Sequence, residues 1–283
     1  MAAMARKGTI SQVRQGPEVT PPPLPPEIGQ AQAGAADAQP FRGPTGEELL
    51  ACPLPVAIEA VILGQELRSG PRGNRSPEEP GLRILMVRRD LEPFQGQWAL
   101  PTAILRRETP LGAAASELVE RLSGRTGLLV EQLRAFDRAV GGQRLIGLAH
   151  LALAGQLGGA DAAGPGLAWL DLGLEFGGQD TFRIRLSLPG GQEAGPPAFG
   201  HGEAITAAIQ RLRGDLGQGG LVARLMPELF TQTHLQRIFE LLLGQRLPAL
   251  AFRRRIAPRL LASGQFVRDK RYRPSRLFGF RTP

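Results

Sequence analysis

The distribution of basic residues most constrains how this chain can fold, because it divides the sequence into two parts of different chemistry. The 283 residues carry a formal net charge of +8, and the sequence pI is near 11.1. From residue 222 to residue 283, thirteen Lys and Arg residues stand against three Asp and Glu, a net charge of +10, so the preceding residues carry −2. We therefore expect a separate basic C-terminal module, and a nucleic-acid surface is favoured over a solvated charged face.

Length and composition are consistent with two domains and a tail. A chain of 283 residues exceeds the usual size of one domain, which is roughly 100 to 200 residues. Residues 1–50 combine eight prolines with Gln, Ala and Gly, which predicts a disordered tail. The single cysteine, Cys52, excludes a disulfide framework and a multi-cysteine zinc site. No long apolar stretch is present, so a cytoplasmic protein without membrane association is expected.

Residues 51–200 alternate strand-like apolar runs with loops rich in Gly and Pro. Val56–Leu63 and Leu82–Arg88 are two such runs joined by a loop, which predicts antiparallel neighbours. Leu111–Leu122 places its apolar residues at helical spacing. Further strands are predicted at residues 134–140, 144–153, 167–172 and 182–188. This order is typical of an α+β domain with mixed strands around few helices.

A helix pattern dominates the rest of the chain. A helix near residues 203–213 is expected to form a linker, residues 201–221, to the basic module. The first helix of the basic module has Thr233 and Gln236 as a candidate capping box and Gly244 as its end. Its apolar face is formed by Leu235, Ile238, Phe239 and Leu242.

The last segment of the module predicts a second helix and a hairpin. Pro248 suits the first turn of a helix, and Pro258 should bend that helix or end it early. Its predicted apolar face contains Phe252, Ile256 and Leu260. A basic, hairpin-like stretch opens at Gly264. A helix, a turn, an arginine-bearing helix and a basic hairpin are the order of a winged helix-turn-helix over residues 222–283.

The stretch from Gln97 to Gly124 resembles the Nudix box, a loop followed by a helix that bears acidic residues. The resemblance rests on Gln97-Trp-Ala-Leu-Pro101 and on Ala-Ala-Ala-Ser-Glu-Leu-Val-Glu-Arg-Leu-Ser-Gly124. In that family, carboxylates one helical turn apart bind Mg²⁺ ions that bridge a pyrophosphate. The resemblance implies this role for Glu117 and Glu120, with Glu108 as the acid of the loop.

Four positions depart from the box. Thr102 and Ala103 replace a glycine pair, Ser116 replaces the helix arginine, and Arg121 replaces the last metal-binding glutamate. A guanidinium at a metal-facing position repels the cation, so we expect weak or absent hydrolysis, no required cofactor, and Mg²⁺ only if hydrolysis persists. Two alternatives stay open: Glu117 and Glu120 are solvent-facing helix charges, or Arg121 pairs with phosphate.

Several strings outside the box resemble Nudix-related transcriptional regulators of NAD metabolism. They are Asp90–Pro101, Phe199-Gly-His201, Met226–Glu240, Phe252-Arg-Arg254 and Arg273–Phe278. The resemblance implies a Nudix-like mixed-sheet α/β/α sandwich followed by a winged helix. It also implies a repressor, commonly a homodimer, that binds ADP-ribose or a related nucleotide and thereby loses affinity for its double-stranded DNA operator. Such a protein would be cytoplasmic and nucleoid-associated when bound to DNA.

The resemblance and the charge pattern together nominate site residues. The ligand-binding candidates are Trp98, Arg106, Glu117, Glu120 and Arg121. For DNA bases, the candidates are Arg253, Arg254 and Arg255 at the start of the second helix. Wing candidates for phosphate or minor-groove contact are Arg268, Lys270, Arg271 and Arg273. Phosphate contact at a helix start is expected from Thr231, Thr233 and His234, although a capping role is favoured for Thr233.

Other conspicuous residues have structural interpretations. For Trp98, a position in the core is favoured over a position in the ligand pocket. His150 is expected to be a buried core histidine. His201 is expected to have a structural role at the entry of the linker helix. Two other functions compete with the regulator. The first is a Nudix hydrolase that cleaves ADP-ribose or another nucleoside diphosphate derivative with Mg²⁺. The second is a general nucleic-acid binder, which the single Tyr and the scarce aromatic residues disfavour.

Overall fold

The computed structural model describes residues 54–68, 79–140, 142–158, 166–178, 181–267 and 274–281. From Cys52 onward the chain forms one compact unit. The predicted tail of residues 1–50 and the side chain of Cys52 lie outside the described residues. Within the described part, no helix is long and apolar enough to cross a membrane.

Eight described strands form one mixed sheet, which confirms the predicted α+β class. Its order is β5-β6-β1-β2-β7-β8, with β3 paired to β2 and β4 paired to β1. The strands are β1 Val56–Arg68, β2 Glu79–Arg88, β3 Trp98–Ala99, β4 Thr102–Ile104, β5 Val130–Val140, β6 Gln143–Gln156, β7 Leu167–Phe176 and β8 Phe182–Ser187. Strand β1 runs parallel to β6 and antiparallel to β2, with Leu63 opposite Ile84, as predicted.

Helices cover both faces of this sheet. The described α-helices are α1 Leu111–Ser123, α2 Gly202–Asp215, α3 Gly220–Leu225, α4 Gln232–Leu243 and α5 Ala249–Ile256. Strand β1 supplies both cores: Ile58 and Ile62 pack with α1, whereas Val61 and Leu63 belong to the core on the opposite face. Burial on both sides explains why apolar residues of β1, such as Ala60–Leu63, follow one another instead of alternating with polar ones.

The C-terminal helices and a small sheet form the predicted winged helix. Helices α4 and α5 are followed by a single 3₁₀ turn, Ala257–Arg259, and then by a hairpin. The hairpin strands β10 Leu260–Val267 and β11 Ser275–Phe280 join the short strand β9 Phe230–Thr231 in the order β10-β11-β9. Helix α3 was not predicted from the sequence. It spans residue 222, the predicted boundary between the linker and the winged-helix domain. The domain limits themselves stay a prediction.

The predicted capping box of α4 is wrong. The N-cap is Thr231, whose side chain accepts a hydrogen bond from the backbone N of His234 at 3.1 Å. Thr231 is already extended because it ends β9, and extended backbone suits an N-cap. Thr233 therefore lies inside the first turn and is exposed. The predicted stop at Gly244 is confirmed, because Gly244 ends α4 with a left-handed φ of 69°.

Helix α5 is shorter than its apolar pattern predicted. Pro248 occupies the N-cap position, and the helix ends at Ile256 because Pro258 lies in the 3₁₀ turn that follows. Leu260 is buried, but it is the first residue of β10 rather than part of the helix face, so that assignment was wrong. The hairpin likewise starts at Leu260, and Gly264 lies at a bulge inside β10.

Candidate functional site

The exposed surface of α5 carries the basic side chains expected of a DNA-reading helix. Phe252 and Ile256 are buried, and Arg253, Arg254 and Arg255 are exposed. These arginines lie in the last turn of α5, not at its start as predicted, because the helix ends as the chain approaches Pro258. Arg255 also lines a cavity of about 340 Å³ toward α2. Arg253 and Arg254 do not line that cavity. The contact of these three arginines with DNA stays a prediction.

Glu240 fixes the turn between α4 and α5, a role that the sequence did not reveal. Its buried carboxylate accepts hydrogen bonds from the Leu247 backbone N at 2.9 Å and from Gln236 Nε2 at 2.9 Å. Arg237 and Arg246 pair with it at 2.8 and 3.0 Å. Burial raises the pKa of Glu240, but these hydrogen bonds and the Arg237 charge outweigh burial and lower it overall. The turn therefore holds α5 in one orientation relative to α4.

The other DNA candidates are placed differently. Arg268, Lys270, Arg271 and Arg273 lie outside the described residues, so their contact with DNA stays a prediction. Thr231 caps α4, and its contact with phosphate and that of His234 stay predictions. The His234 ring is half-buried. Its Nε2 donates to Gln65 Oε1 at 3.1 Å, and burial lowers its pKa to about 4, which keeps the ring neutral.

This His234–Gln65 hydrogen bond belongs to a contact between the basic module and the sheet. Gln65 lies on β1 and is fully buried. At the other end of α4, Gly244 approaches the Phe176 ring so closely that a Cβ would overlap it. One continuous apolar core joins the sheet, α2 and the winged helix. A displacement of the winged helix must therefore break contacts with the sheet.

A cleft of about 530 Å³ lies between β4 and α1. This volume is within the range of small-molecule sites. Thr102, Ala103 and Ile104 form one wall, Ala114, Glu117, Leu118 and Arg121 form the other, and Arg106 and Thr109 close one end. Three of the five predicted ligand-binding residues, Arg106, Glu117 and Arg121, thus meet in one place. Their role in binding stays a prediction.

The remaining candidates from the Nudix resemblance lie outside this lining. Glu120 Oε1 accepts a hydrogen bond from the Gly127 backbone N at 3.2 Å, which stabilises the loop after α1. Glu108 is exposed on the loop before α1. Trp98 is half-buried on β3 and packs against the core, which favours its structural interpretation.

The residues of the cleft do not fit Mg²⁺. A magnesium ion requires several oxygen ligands, and the cleft offers one carboxylate, Glu117, beside two guanidinium groups that repel a cation. Among the described residues, no group of three or more His, Cys, Asp or Glu side chains could hold a metal ion. The arrangement is suited to an anion.

A buried polar cluster supports the chain beside the cleft, and sequence reasoning missed it. Arg138 Nε and Nη2 each donate to the Glu59 carboxylate at 3.0 Å, and both side chains are almost fully buried. Burial raises the pKa of Glu59, but hydrogen bonds from His201 and Arg138 outweigh it and lower the pKa. His201 Nδ1 accepts from the Leu100 backbone N at 2.9 Å, two residues before β4.

The structural roles predicted for His150 in the core and for His201 at the entry of α2 are confirmed. His201 is buried at the N-cap position of α2 and joins that helix to the segment before β4. His150 is buried on β6, with Nδ1 at 2.9 Å from the Leu148 carbonyl oxygen. Burial lowers the pKa of His150. Neither side chain belongs to the cleft lining.

Comparisons with known proteins support both parts of the molecule. Residues 222–280 match the family model of the NrtR DNA-binding winged helix domain. The chain is 27% identical over 191 residues to the ADPR responsive transcriptional repressor NtrR of Acinetobacter baylyi, a match that covers 64% of this chain and 68% of that protein.

Solved structures show the same fold. NrtR of Shewanella oneidensis complexed with a 27mer DNA aligns with a TM-score of 0.56 and 21% identity, over 80% of this chain and 93% of that chain. A MutT/nudix family protein from Enterococcus faecalis aligns with a TM-score of 0.59 and 20% identity, over 81% and 86% of the two chains. The predicted combination of a Nudix-like sheet domain and a C-terminal winged helix is confirmed, and so is the resemblance to Nudix-related transcriptional regulators.

Proposed function

We propose that this protein is a DNA-binding transcriptional repressor whose Nudix-like domain senses ADP-ribose or a related nucleotide of NAD metabolism. The observation that carries the proposal is the winged helix of residues 222–280, whose helix α5 exposes three consecutive arginines on a module of net charge +10. The name of the Acinetobacter baylyi relative, an ADPR responsive repressor, supports the choice of effector.

The contact between the two parts supplies a physical basis for regulation. An effector changes DNA affinity only if it prefers one of two arrangements of the protein, and DNA then lowers effector affinity by the same factor. Strand β1 pairs with β4 of the cleft at Ala57–Glu59 and reaches the winged helix at Gln65. An arrangement of α4 that breaks the His234–Gln65 bond is a candidate for the second state.

Fluorescence anisotropy with labelled duplexes tests this function. The duplexes come from the region upstream of the protein's own gene and from NAD-biosynthesis promoters, with a scrambled duplex as the control. We expect tighter binding to a genuine operator than to the scrambled duplex, a log affinity that falls steeply with log salt, and weaker binding when ADP-ribose is added. Equal affinity for all duplexes would refute the repressor proposal.

The hydrolase alternative is tested on the same preparation. One carboxylate beside two guanidinium groups suits anion binding better than the binding of a catalytic cation. Release of AMP from ADP-ribose that requires Mg²⁺ and is abolished by Glu117→Gln would favour the hydrolase.

The repressor proposal also includes an oligomeric state and a location. The protein acts as a homodimer on operator DNA and resides in the cytoplasm, associated with the nucleoid when it is bound to DNA.

A further inference from the structure

The cleft between β4 and α1 has two basic side chains that pair with no other side chain in the described part of the protein. Arg106 and Arg121 line it and are exposed. Within the described residues, neither guanidinium forms an ion pair or a side-chain hydrogen bond. Arg121 lies one turn from Glu117 on α1, a spacing at which Glu and Arg often pair, yet these two side chains stay apart. Both guanidinium groups are therefore available to a ligand.

Both arginines are carried by backbone that is held in place. Arg121 lies on α1, whose Leu118 and Val119 are buried against β1 and which ends in the left-handed Gly124. Arg106 begins a turn closed by a hydrogen bond from the Thr109 backbone N to the Arg106 carbonyl oxygen at 3.2 Å. The two cationic groups thus approach the cleft from separate, ordered elements.

We infer that Arg106 and Arg121 bind the diphosphate group of a nucleotide in this cleft without a divalent cation. The inference rests on the proposed function and specifies its effector site. A guanidinium matches phosphate oxygens with two parallel hydrogen bonds, and two such groups balance the two negative charges of a diphosphate diester. Ile104, which is 61% exposed on the opposite wall, offers an apolar surface for the nucleoside.

Isothermal titration calorimetry on the full chain tests this inference with ADP, inorganic diphosphate and adenosine as probes. Each titration is done once with EDTA and once with Mg²⁺. We expect the ADP affinity to agree within about twofold between the two conditions. Arg106→Gln and Arg121→Gln should each weaken ADP binding by roughly ten- to a hundredfold, since hydrogen bonds to charged groups are lost. Adenosine, which has no phosphate, should not distinguish the variants from the parent protein.

A matched control removes one positive charge elsewhere. Arg144 is exposed on the β5–β6 hairpin, where it pairs with Asp137 at 2.7 Å outside the cleft. Arg144→Gln should leave ADP affinity unchanged. Circular dichroism melting of all three variants establishes that they fold. Because each replaced side chain is exposed, melting temperatures close to that of the parent are expected.

The outcomes separate this inference from the proposed function. ADP binding that disappears in EDTA, that survives both glutamine variants, or that is absent from the parent protein would overturn the cleft assignment. If ADP binds as expected but ADP-ribose leaves operator affinity unchanged, the cleft assignment stands and the regulatory proposal fails. If ADP-ribose weakens operator binding equally in the parent and in both variants, the effector binds elsewhere and the cleft assignment fails.

Discussion

Replacing Glu59 by Gln isolates the contribution of the buried Glu59–Arg138 ion pair. The carboxylate is 1% exposed, and the Arg138 side chain is 4% exposed. Glutamine keeps the size but removes the charge and one acceptor oxygen, so the Arg138 guanidinium exchanges two hydrogen bonds of 3.0 Å to a carboxylate for at most one to an uncharged amide. It retains the Gly200 carbonyl oxygen and Glu203, whose side chain is 65% exposed and screened by solvent.

Breaking a buried pair from one side costs about 3–5 kcal/mol, because an uncompensated charge remains inside the protein. For a unit of this size, the melting temperature should fall by about 6–20 °C. Urea unfolding followed by circular dichroism measures the free energy of unfolding directly. Arg144→Gln, which breaks an exposed pair, is the control and should leave the free energy of unfolding almost unchanged.

The pH dependence of the difference gives a second readout. The pKa of Glu59 is lowered in the folded protein from its ordinary value of 4.5. Its stabilising contribution is therefore complete above that value and is lost as the pH falls through the lower, folded pKa. The stability gap between parent and Glu59→Gln should be largest near neutral pH and should narrow below about pH 4.5. A gap no larger than that of the control, or one independent of pH, would refute this account of the pair.

Three further predictions concern the winged helix. Arg254→Ala should weaken operator binding by about tenfold and lower the salt dependence of the affinity. Arg255→Ala should have a smaller effect, because Arg255 lines the cavity toward α2. Fluorescence anisotropy at several salt concentrations measures both effects. Glu240→Ala should lower the free energy of unfolding by about 1–3 kcal/mol, because the α4–α5 turn loses its acceptor, and should weaken DNA binding as well; unfolding and anisotropy on one preparation measure both. His234→Ala should reduce the effect of ADP-ribose on operator affinity while both separate affinities persist, because the bond to Gln65 is lost; an unchanged effect would contradict a coupling role for this bond.

The elements of the fold followed from local patterns in the sequence. The apolar runs of β1 and β2, the helical spacing of α1 and the glycine after α4 depend on neighbouring residues, and each was predicted at its place. Errors arose where one element ends in another. Thr231, not Thr233, is the N-cap of α4, because strand β9 leads directly into that helix. The arginines of α5 lie in its last turn, not its first, because Pro258 follows in a 3₁₀ turn.

Prediction of the ligand cleft was partial for a similar reason. Helical spacing places Glu117 and Arg121 on one side of α1, so their convergence was readable from the sequence. Whether Glu120 also lines the cleft depends on the loop after α1, where the Gly127 backbone N donates a hydrogen bond to the Glu120 carboxylate. Arg106 enters the cleft through the turn that follows β4, which periodicity does not describe.

By itself, the sequence determined the class of the fold, the basic C-terminal module and the degenerate acidic helix, because charge, periodicity and turn residues act over a few positions. Only the tertiary structure decided which groups meet across long separations. Glu59 and Arg138 are 79 residues apart, and His234 and Gln65 are 169 apart. Such pairs carry no local signal, since a buried polar side chain is tolerated only where the folded chain supplies its partner.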